Sequence, residues 1–166
     1  MITKSKKTSG FTLVELLLFI GLFSILLTVL TQMFVTIVET QLDSQSSSGI
    51  NQDSRYIFNR LSYDIHKANK LNYPSSIGTS ASLLINGTDY IYKLDGSNLI
   101  LNFNSTEYQL NSYTTSVSNL QFQRIGDTTV TPSLIKITYK LESNIEEVSG
   151  IETRDIETII GLRPQL

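Results

Sequence analysis

Residues 11–38 read FTLVELLLFIGLFSILLTVLTQMFVTIV. Of these 28 residues 20 are apolar, and one, Glu15, is charged. No water-facing helix or strand tolerates such a run, so its environment is the first constraint on the fold. As a helix rising about 1.5 Å per residue it would be roughly 42 Å long. A bilayer's hydrocarbon core is roughly 30 Å thick, so the run predicts a membrane-spanning helix with residues to spare. A cleaved secretory signal would have an apolar stretch of about 7–15 residues and a small-residue cleavage site behind it. This run is about twice too long, and no Ala-x-Ala-like site follows. Lys4, Lys6 and Lys7 precede it and Glu39 and Asp43 follow. By the positive-inside rule the N-terminus lies in the cytoplasm.

Glu15 is the anomaly within the run. A carboxylate at the centre of a membrane helix costs roughly 2.5–3.5 kcal/mol on insertion scales and usually marks function; nearer the end it costs less. Glu15 sits only four residues into the apolar run.

The residues around it carry a resemblance. Lys6-Lys7-Thr8-Ser9-Gly10, followed by Phe11-Thr12-Leu13-Val14-Glu15-Leu16, resembles the processing site of a type IV prepilin. The resemblance implies a basic leader, residues 1–10, removed after Gly10 by a prepilin peptidase. It implies that Phe11 is then N-methylated, and that Glu15, as the fifth mature residue, meets the N-terminal amine of a neighbouring subunit during assembly. The residue types suit that chemistry. A glycine without Cβ lets the chain lie extended in a protease cleft. A new amine on Phe11 is positive at neutral pH. Inside an apolar bundle it needs a carboxylate partner, and Glu15 is the one the run offers. The partners implied are the prepilin peptidase, other pilin or pseudopilin subunits, an inner-membrane assembly platform and membrane lipid.

Composition narrows the remaining classes. With 166 residues the chain is of single-domain size. Its 13 basic and 15 acidic residues give a net charge of -2. Without the leader's three lysines the balance is -5. No broad basic face is available for phosphates, so no direct nucleic-acid binding is expected. There is no cysteine, which removes disulfides, thiolate metal sites and thiol nucleophiles. The single histidine, His66, argues against a metal centre and against a histidine-based triad; it reads as a helix-surface residue. There is no phosphate loop, nucleophile elbow or H-E-x-x-H. Glu146 and Glu147 read as solvated acids, and Asp127 with nearby threonines has too few ligands for calcium. Asn86-Gly87-Thr88 and Asn104-Ser105-Thr106 match the glycosylation sequon, but both are turn sequences. The expectation is a non-enzyme with no catalytic residues, no cofactor and no metal.

Beyond residue 38 the helical pattern continues. Residues 43–52 (DSQSSSGINQ) are poor helix formers and predict a weak point or kink. From Asp53 to about residue 72 an amphipathic helix is predicted, with Ile57, Phe58, Leu61, Ile65 and Ala68 on the apolar face. Arg55, Asn59, Arg60, Asp64 and Lys67 take the polar side. Tyr73 before Pro74 ends it. Arg60-Leu61-Ser62-Tyr63-Asp64-Ile65-His66-Lys67-Ala68 resembles a stretch shared by the J-type pseudopilins of type II secretion, the W-type minor pilins and a competence pseudopilin. Many major pilins carry a proline within the mature helix; here that neighbourhood is Thr31-Gln32-Met33, which favours a minor subunit.

Residues 73–166 alternate short β-like runs with turn sequences. The runs are 82–85, 90–94, 98–103, 107–110, 120–125, 135–141 and 156–162. Asn86-Gly87, Asp95-Gly96 and Asn104-Ser105 mark tight hairpins. Residues 142–150 (ESNIEEVSG) read as an exposed acidic turn. Six or seven antiparallel strands are expected, with one sheet face covered by the amphipathic helix.

The expected class is therefore α+β and pilin-like. Its parts are a leader 1–10, a membrane or filament-core helix 11–38, an amphipathic continuation 39–72 and an antiparallel β domain 73–166. The expected function is that of a minor structural subunit, held in the cytoplasmic membrane and then assembled into, or at the tip of, a type IV pilus or related filament. The alternatives are a pseudopilin of type II secretion or competence DNA uptake, a pilus-anchored adhesin, and an anchored surface protein that never polymerises.

Overall fold

The computed structural model describes residues 10–126, 134–147 and 150–162. Lys4, Lys6 and Lys7 of the expected leader, and Asp127, lie outside those residues. The chain divides into two compact units, one ending at Thr40 and one running from Gln41 to Leu166. Both draw on a single helix, α1, Leu13–Lys67.

In the first unit α1 is exposed throughout except at Glu39, which is half-buried. It is long and apolar enough to cross a membrane, with a mean hydropathy of 2.7 over 18 residues. Its hydroxyls are dealt with locally. Ser24, Thr28, Thr31, Thr36 and Thr40 each donate to the carbonyl four residues back, at 2.8–3.1 Å. A side chain bonded in this way carries no unmet polar group into hydrocarbon.

In the second unit α1 stays helical through residues 43–52, so the expected weak point is absent. Tertiary packing overrides the poor propensity. Ser46, Ile50 and Asp53 are buried there, and Gly49 brings the helix close to the β domain: a Cβ on it would lie 3.2 Å from Thr114 Oγ1. The apolar face continues through Ile57, Leu61 and Ile65, with Ala68 buried just beyond the helix end. Two expectations need correcting. Phe58 is 42% exposed, because it stands about 100° round the helix from Ile57. Asp64, expected on the polar side, is 2% exposed.

The helix ends at Lys67, short of the expected residue 72. The Ala68 N–H reaches back only to Ile65, and the Asn69 N–H donates to the Leu84 carbonyl at 2.8 Å. The chain has by then joined a sheet as β1, Lys70–Tyr73. This strand pairs with β3, Ala81–Ile85, and the series continues through β4, Thr88–Asp95, β5, Asn98–Phe103, and β6, Thr106–Gln109. All pairings are antiparallel. The three predicted hairpin turns are present. Asn86 and Gly87 have φ of 49° and 81°, and Asn104 and Ser105 have 53° and 61°. Positive φ at both central residues is one of the two forms whose twist matches the strands, and the third turn, with Gly96 at 59° and Ser97 after it, takes positive φ at the first position alone.

A second antiparallel sheet has the order β2–β7–β8–β9. Its strands are β2, Ile77–Gly78, β7, Thr115–Ile125, β8, Leu134–Glu147, and β9, Gly150–Gly161. The described residues thus hold nine strands in two sheets, where six or seven were expected. The stretch read as an acidic turn is strand as far as Glu147, and β9 begins at Gly150, six residues before the run expected there. Charge pairing lets acids occupy this sheet: Lys140 meets Glu142 and Lys136 meets Glu157, both at 2.8 Å. One core joins α1 to both sheets, with Ile57, Leu61, Tyr92, Leu101, Phe122 and Ile137 all at most 1% exposed.

Candidate functional site

Gly10, Phe11 and Glu15 lie together at the start of the first unit. Gly10 and Phe11 precede the helix and are exposed, Phe11 to 77%. Nothing stands within 4 Å of where a Gly10 Cβ would be. The Gly10–Phe11 peptide bond is therefore in non-helical, open chain, the form in which a backbone can be gripped.

The helix begins immediately after it, and Thr12 explains where. Its Oγ1 accepts the Glu15 N–H at 3.3 Å, and its carbonyl accepts the Leu16 N–H at 3.1 Å. Thr12 is the N-cap, and Glu15, three residues on, stands where the acid of a capping box belongs. Its negative charge also lies in the first turn, the favourable end of the helix dipole. Sequence reasoning singled out Glu15 and passed over Thr12. The threonine-x-x-glutamate spacing was the available signal. Glu15 is exposed and is the one charged residue between Phe11 and Val38.

In the second unit two buried carboxylates fix α1 to the β domain. Asp53 Oδ2 accepts the Ser112 N–H and the Ser112 and Thr115 hydroxyls, at 2.8, 2.8 and 2.5 Å. Asp64 Oδ2 accepts from Arg60 Nε at 2.9 Å and from the Tyr92 hydroxyl. Burial pushes the Tyr92 phenol above its ordinary range, and the Asp64 carboxylate adds to this. Burial, the largest influence, would lower Arg60, but the charges and hydrogen bonds of Asp64 and Tyr92 together outweigh it and hold the guanidinium above its usual value. Sequence named Asp64 within the Arg60–Ala68 string but placed it on the polar side, and gave Asp53 no role beyond the start of the amphipathic pattern. Both are polar residues at helical spacing with buried apolar ones, which is the pattern that could have found them.

The other residues considered from sequence are dispersed. His66 is exposed and its Nδ1 donates to the Ser62 carbonyl at 2.5 Å. Among the described residues no three histidine, cysteine, aspartate or glutamate side chains gather as metal ligands. Glu146 is exposed on β8. Asn86 and Asn104 are exposed at turn positions. Of the tyrosines, Tyr92 and Tyr139 are buried, and Tyr90 and Tyr108 flank Phe103 in a cross-strand stack with centroids 4.8 and 5.0 Å apart.

Residues 5–31 match the family model described as the prokaryotic N-terminal methylation motif. No curated protein and no solved structure matches the chain.

Proposed function

From an N-terminus that makes this chain a type IV pilin-like prepilin, we propose that it serves as a minor structural subunit of a type IV pilus or related filament. The observation that carries this reading is the grouping at the motif: an open Gly10–Phe11 bond, a helix capped one residue later, and a lone carboxylate in its first turn.

Before assembly the subunit is stored in the cytoplasmic membrane with its N-terminus in the cytoplasm and its β domain outside. A prepilin peptidase removes residues 1–10, and Phe11 is N-methylated. The assembly platform then moves the helix from lipid into a bundle of like helices. The Phe11 amine enters an apolar surrounding, where Glu15 of a neighbouring subunit offsets its charge and fixes axial register. The chemistry is recognition and packing, and we assign no catalytic step to the chain.

The stretch Arg60 to Ala68, which resembles one minor-subunit group, supports the same reading. Arg60 and Asp64 are an i, i+4 pair closed by Tyr92, while Leu61, Ile65 and Ala68 are core. The string thus encodes how this helix docks on a β domain. It suits pilus, secretion and competence subunits alike.

The test is the N-terminal peptide mass of the protein from its native membrane, beside Gly10→Ala. A chain starting at N-methylated Phe11, with the variant uncleaved, is the expected result. A wild-type chain retaining residues 1–10 would reduce the reading to an anchored β domain.

A further inference from the structure

The strand β6 closes the first sheet on one side, and among the described residues it pairs with β5 alone. All four of its residues, Thr106–Gln109, are exposed. The other sheet edges are guarded in ways that discourage strand addition. β1 is bulged between Leu71 and Tyr73 and runs into Pro74, and β2 is two residues long. β9 sets Arg154 opposite the buried Leu141, a charge on its inner side. By contrast β6 has no bulge, no proline and no lysine, and its one charge, Glu107, is met by Lys93 at 2.8 Å. We propose that β6 is a docking edge for a second copy of this chain, the two β6 strands pairing antiparallel about a two-fold axis at Tyr108.

The backbone supplies the donors and acceptors. The Leu110 N–H donates to the Leu99 carbonyl, which lies directly opposite in the register of β5 and β6. Hydrogen-bonded and open pairs alternate along an antiparallel ladder. Thr106 and Tyr108 therefore bond to β5, and the N–H and C=O groups of Glu107 and Gln109 point away from it. Pairing around Tyr108 sets Glu107 opposite the partner's Gln109, and Gln109 opposite the partner's Glu107. That closes four backbone hydrogen bonds, and no like charges meet.

The side chains favour the same arrangement. Tyr90, Phe103 and Tyr108 stack across β4, β5 and β6 with centroids 4.8 and 5.0 Å apart. Neighbouring strands are spaced about 4.7–4.9 Å, so one more strand can extend the ladder by one more ring. Tyr108 ends the ladder and is 46% exposed. On the two-fold edge the next ring is the partner's Tyr108. The two face each other in an open pair, where Cα atoms lie about 4.5 Å apart and side chains come closest. The exposed end of the ladder is thus its own complement. A contact of this size belongs to the weak, reversible class.

The test uses the full chain in detergent micelles. It has no cysteine, so a single introduced thiol reports one position. Tyr108→Cys keeps the backbone pairing and puts two thiols in the open pair, within the Cα separation of about 4.4–6.8 Å that a disulfide spans. Tyr113→Cys, at a residue 89% exposed, reports random collision. With oxidised glutathione, Tyr108→Cys should cross-link to itself about tenfold faster or more, the effect of holding the thiols together before they react. Adding Glu107→Pro should return it to the collision rate, because proline removes an outward N–H and leaves the pairing with β5 intact. A melting curve checks that this variant folds. In the wild type, the Glu107 and Gln109 amides should exchange hydrogen more slowly as protein concentration rises, a readout that needs no variant. Equal rates at the two thiols, a folded proline variant that cross-links as before, or exchange indifferent to concentration would each overturn the proposal. So would cross-linking of the Tyr108→Cys chain to a different subunit in native membrane in preference to itself, which would give the edge to another partner. N-terminal processing should be unchanged in every variant, so this contact and the assembly role fail separately.

Discussion

At the residue scale, the same side-chain type plays opposite parts. Tyr92 and Tyr139 are both buried tyrosines, but Tyr92 donates to Asp64 while the Tyr139 hydroxyl has no hydrogen-bond partner. Tyr92→Phe should therefore strand the Asp64 carboxylate and cost about 1–3 kcal/mol, whereas Tyr139→Phe should be neutral or slightly stabilising in urea unfolding. Burial also pushes the Tyr139 phenol up to about 12 from 10.0. A folded pKa above the unfolded one means stability that is whole below pH 10 and declines as pH rises from about 10 to 12. Wild-type stability should fall over that window, and Tyr139→Phe should flatten the fall; equal slopes would refute the account. Glu15→Gln keeps the size and loses the charge. Membrane levels should hold while sheared filament is lost, as read by immunoblot of both fractions.

At the element scale, the long helix reads differently along its length. Its apolar stretch and the motif before it were legible, because 20 apolar residues in 28 admit few alternatives. The continuity through residues 43–52 was not, since local propensity says nothing about Gly49 lying against Thr114. Gly49→Val should test that approach: its branched side chain would press into the loop and cost about 1–3 kcal/mol, measured by thermal unfolding. The hairpin turns were legible from asparagine and glycine chemistry. The second sheet was less so. β2 is two residues long, and the Glu142–Glu147 stretch is strand because the chain folds straight back on itself, Glu147 opposite Gly150 and Glu146 opposite Ile151, although its acids and serine give no apolar alternation.

At the scale of the whole molecule, the second unit holds its own core, and Asp53 and Asp64 anchor its share of the helix from within. A chain starting at Gln41 should therefore be soluble and folded, with β-rich circular dichroism and a cooperative melt. An aggregated or molten product would mean that the first forty residues support the β domain. The first unit follows another logic. The hydroxyls of Ser24, Thr28, Thr31, Thr36 and Thr40 return to their own backbone, so these side chains demand nothing polar of whatever surrounds the helix. Lipid and a bundle of apolar helices are then nearly equivalent solvents for this segment. Between Phe11 and Val38 the one charge is Glu15, so a change at that position would shift the segment's preference between the two while leaving its apolar surface as it was.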